Sequence, residues 1–480
     1  MTRAKVTVLV LIIFVLLLGV LLLAGMPLMT SGQSPAAIKL MQDINKSYLG
    51  KKLMDHYFGQ VAYLSGLKVG PYKDVAPEQL DKIYMFLALS VFAALTALVG
   101  SAAAGILFVV NGITEREPAF TRRQSLATLA LVILAGTVIR LILAGVVYGN
   151  YDMTSYEIVT DIAGKGGNVY AETDRYNYSP VWFIVLLALK RIQLALPGVP
   201  FHFVVRSFLC GVDLLTLGVL LLIANIRKLP AVRTAIFFYL SPVSFLVTGY
   251  HGQFENFAML MVLIGIFVYL ALATRPVLRT ALLWLFATAG MIVKHNVFYE
   301  LIICLHSSIK RYWIKVPLFI VSVIVFLSLF IPYWDAGSKG IIDNAFRYEP
   351  ELGPYGVTSL FQMPHLKYLF IAAMFIFPLF LKSKDIMAQC LLGTLFFLTF
   401  ATSVSVQYFA LPVALGALRP SKPFLLYTLL ASFLFLGSQY NVFIPGFHLF
   451  QWNVGWVGAV CWFIAEMRLD RQAARIEIPR

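Results

Sequence analysis

The chain has 480 residues, of which 60% are hydrophobic and only 13% charged, and its mean hydropathy is +0.82. Too few polar residues remain to give such a core a water-facing surface, which excludes a soluble globular protein and leaves a polytopic membrane protein. The formal net charge of +15 would suit a nucleic-acid partner if it formed one patch. Instead it is dealt out as "MTRAK", "EREPAFTRR", "NIRKLPAVR", "TRPVLR", "IKRYWIK", "KSK", "RPSK" and "MRLDRQAAR" in gaps between apolar runs, which is the pattern of cytoplasmic loops.

The first apolar run, 6–25, is long enough to span, and no A-x-A-like cleavage site follows it, so it reads as a retained anchor. A polar stretch at 26–83 leads to spans at 84–110 and 126–148 and to a second polar stretch at 149–199. Within the latter, "PVWFIVLLALKRIQLAL" at 180–196 reads as an interfacial or re-entrant helix with Lys190 and Arg191 toward headgroups. A full crossing there would carry "NIRKLPAVR" to the outer side. Spans follow at 200–224, 231–248, 256–274, 279–294, 297–309, 316–333, 367–381, 386–402, 405–418, 423–438 and 450–466, with Lys294-His295-Asn296 interrupting the pair at 279–309.

The expected fold is therefore an all-α polytopic membrane protein of about 11–14 transmembrane helices, several of them short. With the N-terminus inside, every strongly basic short loop falls on the cytoplasmic side, as do both termini. The polar loops at 26–83, 149–199 and 334–366 fall on the outer side, where spans beneath hold them in place. The four cysteines, Cys210, Cys304, Cys390 and Cys461, lie in apolar segments without metal-ligand spacing and read as core or lipid-facing residues.

The polar residues at the outer span ends are the candidate site. "GYHGQFENFAM" at 249–259 places His251, Gln253 and Glu255 beside the outer loop, where a simple turn needs only small residues. Asp152 stands a few positions past the 126–148 span, a boundary location that suits a general base acting on a hydroxyl and also suits a helix cap. Lys294-His295 lies fifteen residues beyond Arg279, a helical rise of about 23 Å that brings Lys294 near the outer boundary, where it either snorkels or meets an anion such as phosphate. Arg206 and Asp213 are spaced i, i+7 on one span and read most simply as a structural polar contact. Arg347 and Tyr348 in the 334–366 loop, and Gln407 and Tyr408 at a further outer span end, complete the set of candidate substrate contacts.

Taken in order, the acid at the outer end of an early span, "NVYAETDRYNYSP", "RSFLCGVDLL", "SPVSFLVTGYHGQFENFAM", "VKHNVFYE" and "RYEPELGPYG" resemble the integral-membrane glycosyltransferases of the GT-C superfamily, in particular those that use polyprenyl- or dolichyl-phosphate-linked sugars, the mannosyltransferases among them. The resemblance covers residues 125 to 440. It implies Asp152 as catalytic base, a Tyr-x-Tyr-x-Pro element at Tyr176, Tyr178 and Pro180, and a His-x-Gln-aromatic element at His251, Gln253 and Phe254. Glu255 departs from the Asp or Asn of that element. A basic pair near the donor phosphate corresponds to Lys294 and His295, with Arg206 as a further phosphate contact.

The implied reaction is inverting transfer of a hexose or pentose from the lipid-phosphate donor to a glycan or glycolipid hydroxyl on the extracytoplasmic face of a prokaryotic cell membrane. No cofactor or metal is required, because no nucleotide leaves. The implied organisation is extra spans and an extracytoplasmic loop at 1–125, a catalytic transmembrane module at 126–330, a variable C-terminal module at 331–466, and a cytoplasmic tail at 467–480. A secondary transporter or lipid flippase is the alternative class, but the paired halves and midplane charges that such proteins carry are not evident in the sequence.

Overall fold

The computed structural model of the chain describes residues 3–30, 92, 95–110, 122–146, 151–347, 366–402, 404–440 and 448–476. The body of the 26–83 loop and Tyr348 lie outside the described residues. Every regular element among those described is helical. In chain order they are α1 (Arg3–Thr30), α2 (Leu95–Val110), α3 (Arg122–Val146), α4 (Tyr151–Gly164), α5 (Val169–Glu172), α6 (Pro180–Leu194), α7 (Phe201–Ile226), α8 (Ala231–Tyr239), α9 (Pro242–Phe245), α10 (Glu255–Ala271), α11 (Pro276–Val293), α12 (Phe298–Ser308), α13 (Tyr312–Ser328), α14 (Trp334–Gly340), α15 (Leu366–Ile376), α16 (Ile386–Phe400), α17 (Val413–Leu418), α18 (Lys422–Tyr440) and α19 (His448–Ile476).

Among the described residues four helices are long and apolar enough to cross a bilayer, at Arg122–Gly145, Phe201–Ile226, Pro276–Val293 and Tyr312–Phe346, and the bent pair Ala231–Tyr239 with Pro242–Tyr250 makes a fifth if it is one span. Large apolar side chains such as Val109, Leu215, Val277, Trp313 and Leu369 stand out from the bundle, as a hydrocarbon environment allows. The protein is an all-α membrane protein. The remaining sequence-expected crossings fall largely on apolar helices of 10–17 residues, shorter than the roughly 20 residues of an untilted span.

Three expectations change. The 231–248 run is not one straight helix: Pro242 supplies no N–H to the preceding turn, and the chain bends by 49° before closing in a π-helical turn at Leu246–Tyr250. The 334–366 segment does not begin as a loop, because helical structure continues from α13 through a 3-10 turn, α14 and a π turn to Phe346. The stretch expected to line an outer cavity is interior, since every residue from 234 to 256 is buried. The break at Lys294, by contrast, is as read: α11 ends there with extended backbone, φ −146° and ψ 108°.

Helix direction follows from the side-chain contacts. Arg140 of α3 meets Asp213 of α7, and Arg206 meets the Leu143 carbonyl, so α3 and α7 run antiparallel. At one end of the bundle, Arg227 and Arg419 approach Asp385 at 3.2 and 3.8 Å, while Asp470 accepts hydrogen bonds from the Lys382 and Ser383 amides. Asp152, Gln253, Glu255 and Lys294 collect at the other end.

Candidate functional site

The floor of the site is a polar core that stabilises the bent segment. Arg140, wholly buried, donates from Nε to Asp213 Oδ2 at 2.8 Å, from Nη1 to the Gly136 and Tyr239 carbonyls, and from Nη2 to Ser244 Oγ. Asp213 also accepts from Asn256 Nδ2 at 2.7 Å and Thr248 Oγ1 at 2.9 Å. A buried ion pair is tolerable only when its remaining polar atoms are also met, and here α3, α7, α9 and α10 each contribute to that requirement. The expected Arg206–Asp213 contact is therefore corrected. Asp213 belongs to Arg140, and Arg206 instead donates at 3.3 Å to the Leu143 and Gly249 carbonyls. Arg140 carried a signal in the sequence, an ionisable residue well inside a span, that was not read.

Above this floor the chain turns at Gly252, whose φ of +73° is the left-handed region. A Cβ there would lie 2.6 Å from Met153 Cε, so both conformation and space favour glycine. The turn carries Gln253 to α4, where its Nε2 donates to Asp152 Oδ2. Two residues on, Glu255 opens α10 and pairs with Lys294 through Oε1, both side chains being buried. Asp152 and Glu255 are electrostatic neighbours. Gln253 Oε1, Glu255 Oε2 and both amide atoms of Asn296 are buried without a hydrogen-bond partner among the described residues, which marks a polar surface still to be satisfied.

Aromatic rings enclose the cation. Lys294 Nζ lies 4.3 Å from the Phe254 ring centroid, 5.0 Å from Tyr178 and 5.8 Å from Tyr408. Trp182 stacks on Phe254 at 4.1 Å with an interplanar angle of 13°, and Tyr156 meets Trp182 edge-on at 5.5 Å. This is a low-dielectric box in which charge interactions are strengthened.

The segment 168–180 is folded into the scaffold. Asn168 caps α5 by accepting from the Tyr170 amide and donates to the Tyr333 carbonyl. Tyr170 OH donates to the Tyr178 carbonyl at 2.9 Å, and burial pushes that hydroxyl's pKa well up, so it stays a neutral donor. Tyr176 OH donates to the Ser179 carbonyl and accepts from the Phe183 amide, which makes it a brace, while Tyr178 faces Lys294. Ser179 Oγ ties the segment to the Ile292 carbonyl just before Lys294. Gly340 completes the packing, since a Cβ there would lie 1.9 Å from the Tyr170 carbonyl oxygen.

The predicted residues thus separate. Asp152, Gln253, Glu255, Lys294, Tyr178 and Tyr408 come together. His251 is buried with its ring 5.9 Å from Phe435, and His295 turns its ring toward Phe326 at 6.2 Å. Gln407 is half-buried on the same short turn as Tyr408. Arg347 is exposed and lies 3.7 Å from Asp343. The Trp182–Phe254 platform was missed, because stacking between residues 72 apart leaves no mark in local spacing. In comparisons with known proteins, the chain matches no family model, no curated protein and no solved structure.

Proposed function

We propose that this protein is an integral-membrane glycosyltransferase of the GT-C kind, moving a hexose or pentose from a polyprenyl- or dolichyl-phosphate donor to a glycan or glycolipid hydroxyl. The observation that carries the reading is the convergence, at one end of the bundle, of Asp152 held by Gln253 with the Glu255–Lys294 pair inside an aromatic box. Asp152 is the general base: it takes the acceptor hydroxyl's proton as the new oxygen–carbon bond forms and the bond from the anomeric carbon to phosphate breaks. Lys294 balances the charge on the departing lipid phosphate. A single carboxylate base without a partnering nucleophile favours inversion at the anomeric carbon.

In the resting protein Glu255 occupies the anion position beside Lys294, so donor phosphate shares or takes over that contact. Trp182 and Phe254 supply the apolar wall on which a sugar ring or prenyl chain packs. The basic residues Arg227, Lys382, Lys384 and Arg419 at the opposite end support a cytoplasmic assignment for that end, and the reading takes the site as extracytoplasmic, in a prokaryotic cell membrane. The test is transfer from a panel of radiolabelled polyprenyl-phosphate sugars by reconstituted protein, comparing wild type with Asp152→Asn. Transfer by wild type that is lost in a folded, donor-binding Asp152→Asn protein supports the assignment. Equal transfer by both proteins refutes Asp152 as base.

A second reading, a secondary transporter or lipid flippase, is favoured by one observation: the span broken at Pro242 runs beside buried ionisable groups, as in ion-coupled carriers. Flux of a lipid-linked sugar across vesicles without any bond cleavage would select it.

A further inference from the structure

Outside the site just described, α12 and α16 bring a second set of chemically active side chains together. Glu300 and Cys304 are one turn apart on α12, and Cys390 and Thr394 are one turn apart on α16, so each pair shares a helix face. The two faces meet: Cys304 Sγ lies 4.0 Å from Cys390 Sγ, and Thr394 Oγ1 is 2.6 Å from Glu300 Oε1, to which it donates. The ligand atoms of Glu300, Cys304 and Cys390 all fall within 4.8 Å of one another, and all three residues are buried. Among the described residues Glu300 Oε2 meets no oxygen or nitrogen donor, and the Cys390 thiol faces that carboxylate. The sulfurs are too far apart for a disulfide, whose bond is about 2.05 Å.

We propose that Glu300, Cys304 and Cys390 form a zinc(II) site that clamps α12 to α16. Two thiolates bound to one tetrahedral zinc at about 2.3 Å stand about 3.8 Å apart, close to the sulfur separation observed. A carboxylate as third ligand favours a borderline cation over copper(I), which prefers sulfur alone. Thr394 holds the carboxylate through its other oxygen, the outer-shell role that orients a metal ligand. Each thiol loses its proton as the sulfur–zinc bond forms, and the protons pass to solvent.

The position gives the clamp a purpose. Glu300 lies six residues beyond Lys294, and Tyr299 stacks on Phe397 at 4.8 Å, which in turn lies 5.9 Å from Tyr408 in the aromatic box. Fixing α12 against α16 holds the Lys294 turn and Tyr408 at one separation.

The test uses reduced, full-length protein purified without a polyhistidine tag, stripped with chelator and titrated with zinc chloride, with bound metal counted by elemental analysis. Wild type and Cys210→Ser/Cys461→Ser are expected to bind one zinc per chain. Cys304→Ser/Cys390→Ser is expected to bind none, and Glu300→Gln more weakly by at least the roughly tenfold that loss of a mere outer-shell partner costs. Cobalt(II) bound in place of zinc is expected to give thiolate charge-transfer absorption in wild type and none in Cys304→Ser/Cys390→Ser. Monodisperse elution of each variant secures the comparison, and Glu300→Gln, which keeps both thiols, serves if the double serine variant fails to fold. Wild type that takes up no zinc, or takes it up equally when Cys304 and Cys390 or Glu300 are replaced, overturns the proposal.

Discussion

Replacing Lys294 with methionine leaves the buried Glu255 carboxylate without its cation and with Asp152 as an electrostatic neighbour, and replacing Glu255 with glutamine strands the ammonium in the same place. In the wild type the two side chains are 2% and 0% exposed, so water cannot take over either charge. Stranding one member of a buried pair costs about 3–5 kcal/mol. The Lys294→Met variant also gives up the ring contacts of the ammonium, worth about 2 kcal/mol when desolvated, and that loss lies within the same range. Summed as independent effects, the two single changes would cost about 6–10 kcal/mol. The double variant Lys294→Met/Glu255→Gln buries no net charge and is expected to cost no more than either single change. Denaturant unfolding in mixed micelles, followed by tryptophan fluorescence with Trp182 on Phe254 as a nearby reporter, measures all four corners of the cycle. Additive costs would refute the argument that each charge is tolerated only because of the other.

Three further outcomes follow from the same geometry. Asp213→Ala should lower stability by about 3–5 kcal/mol, because it leaves Arg140 buried beside Asn256 and Thr248, and heating before size-exclusion chromatography reads the loss. Gly340→Ala should cost about 1–3 kcal/mol by forcing a methyl group against the Tyr170 carbonyl, and hydrogen exchange should show residues 168–183 losing protection before the rest of the bundle. Arg347→Ala should change stability by less than about 0.5 kcal/mol, since its partner Asp343 is an exposed neighbour one helical turn away, and thermal unfolding in detergent checks this.

Hydropathy and charge alternation made the membrane class and most helix positions legible, because both are one-dimensional consequences of solvent. Lys294 could be placed at a span end by counting residues from Arg279, and the structure breaks the helix there. The partners of these residues were not legible in the same way. The i, i+7 spacing of Arg206 and Asp213 suggested a shared face, yet contact depends on which neighbouring helix supplies the better geometry, and Arg140 on α3 does so. The bend at Pro242 had a local signal in the proline itself, masked by the apolar run around it. Glu300 with Cys304 and Cys390 with Thr394 each carried a four-residue spacing, but only the packing of α12 on α16 makes one cluster of them.

The helical run from Tyr312 to Phe346 is 35 residues long, about 52 Å at the α-helical rise, while a bilayer's hydrocarbon core is about 30 Å thick. Its far part rests on the segment that supports Tyr178, through Tyr333 on Asn168 and Gly340 on Tyr170. A helical run with exposed apolar side chains from Trp313 to Ile331, docked through Tyr333 and Gly340, can act as a lever. A change in bilayer thickness that alters its tilt would shift the fulcrum at Tyr170 and with it the wall around Lys294, making the surrounding lipid a mechanical input to the protein.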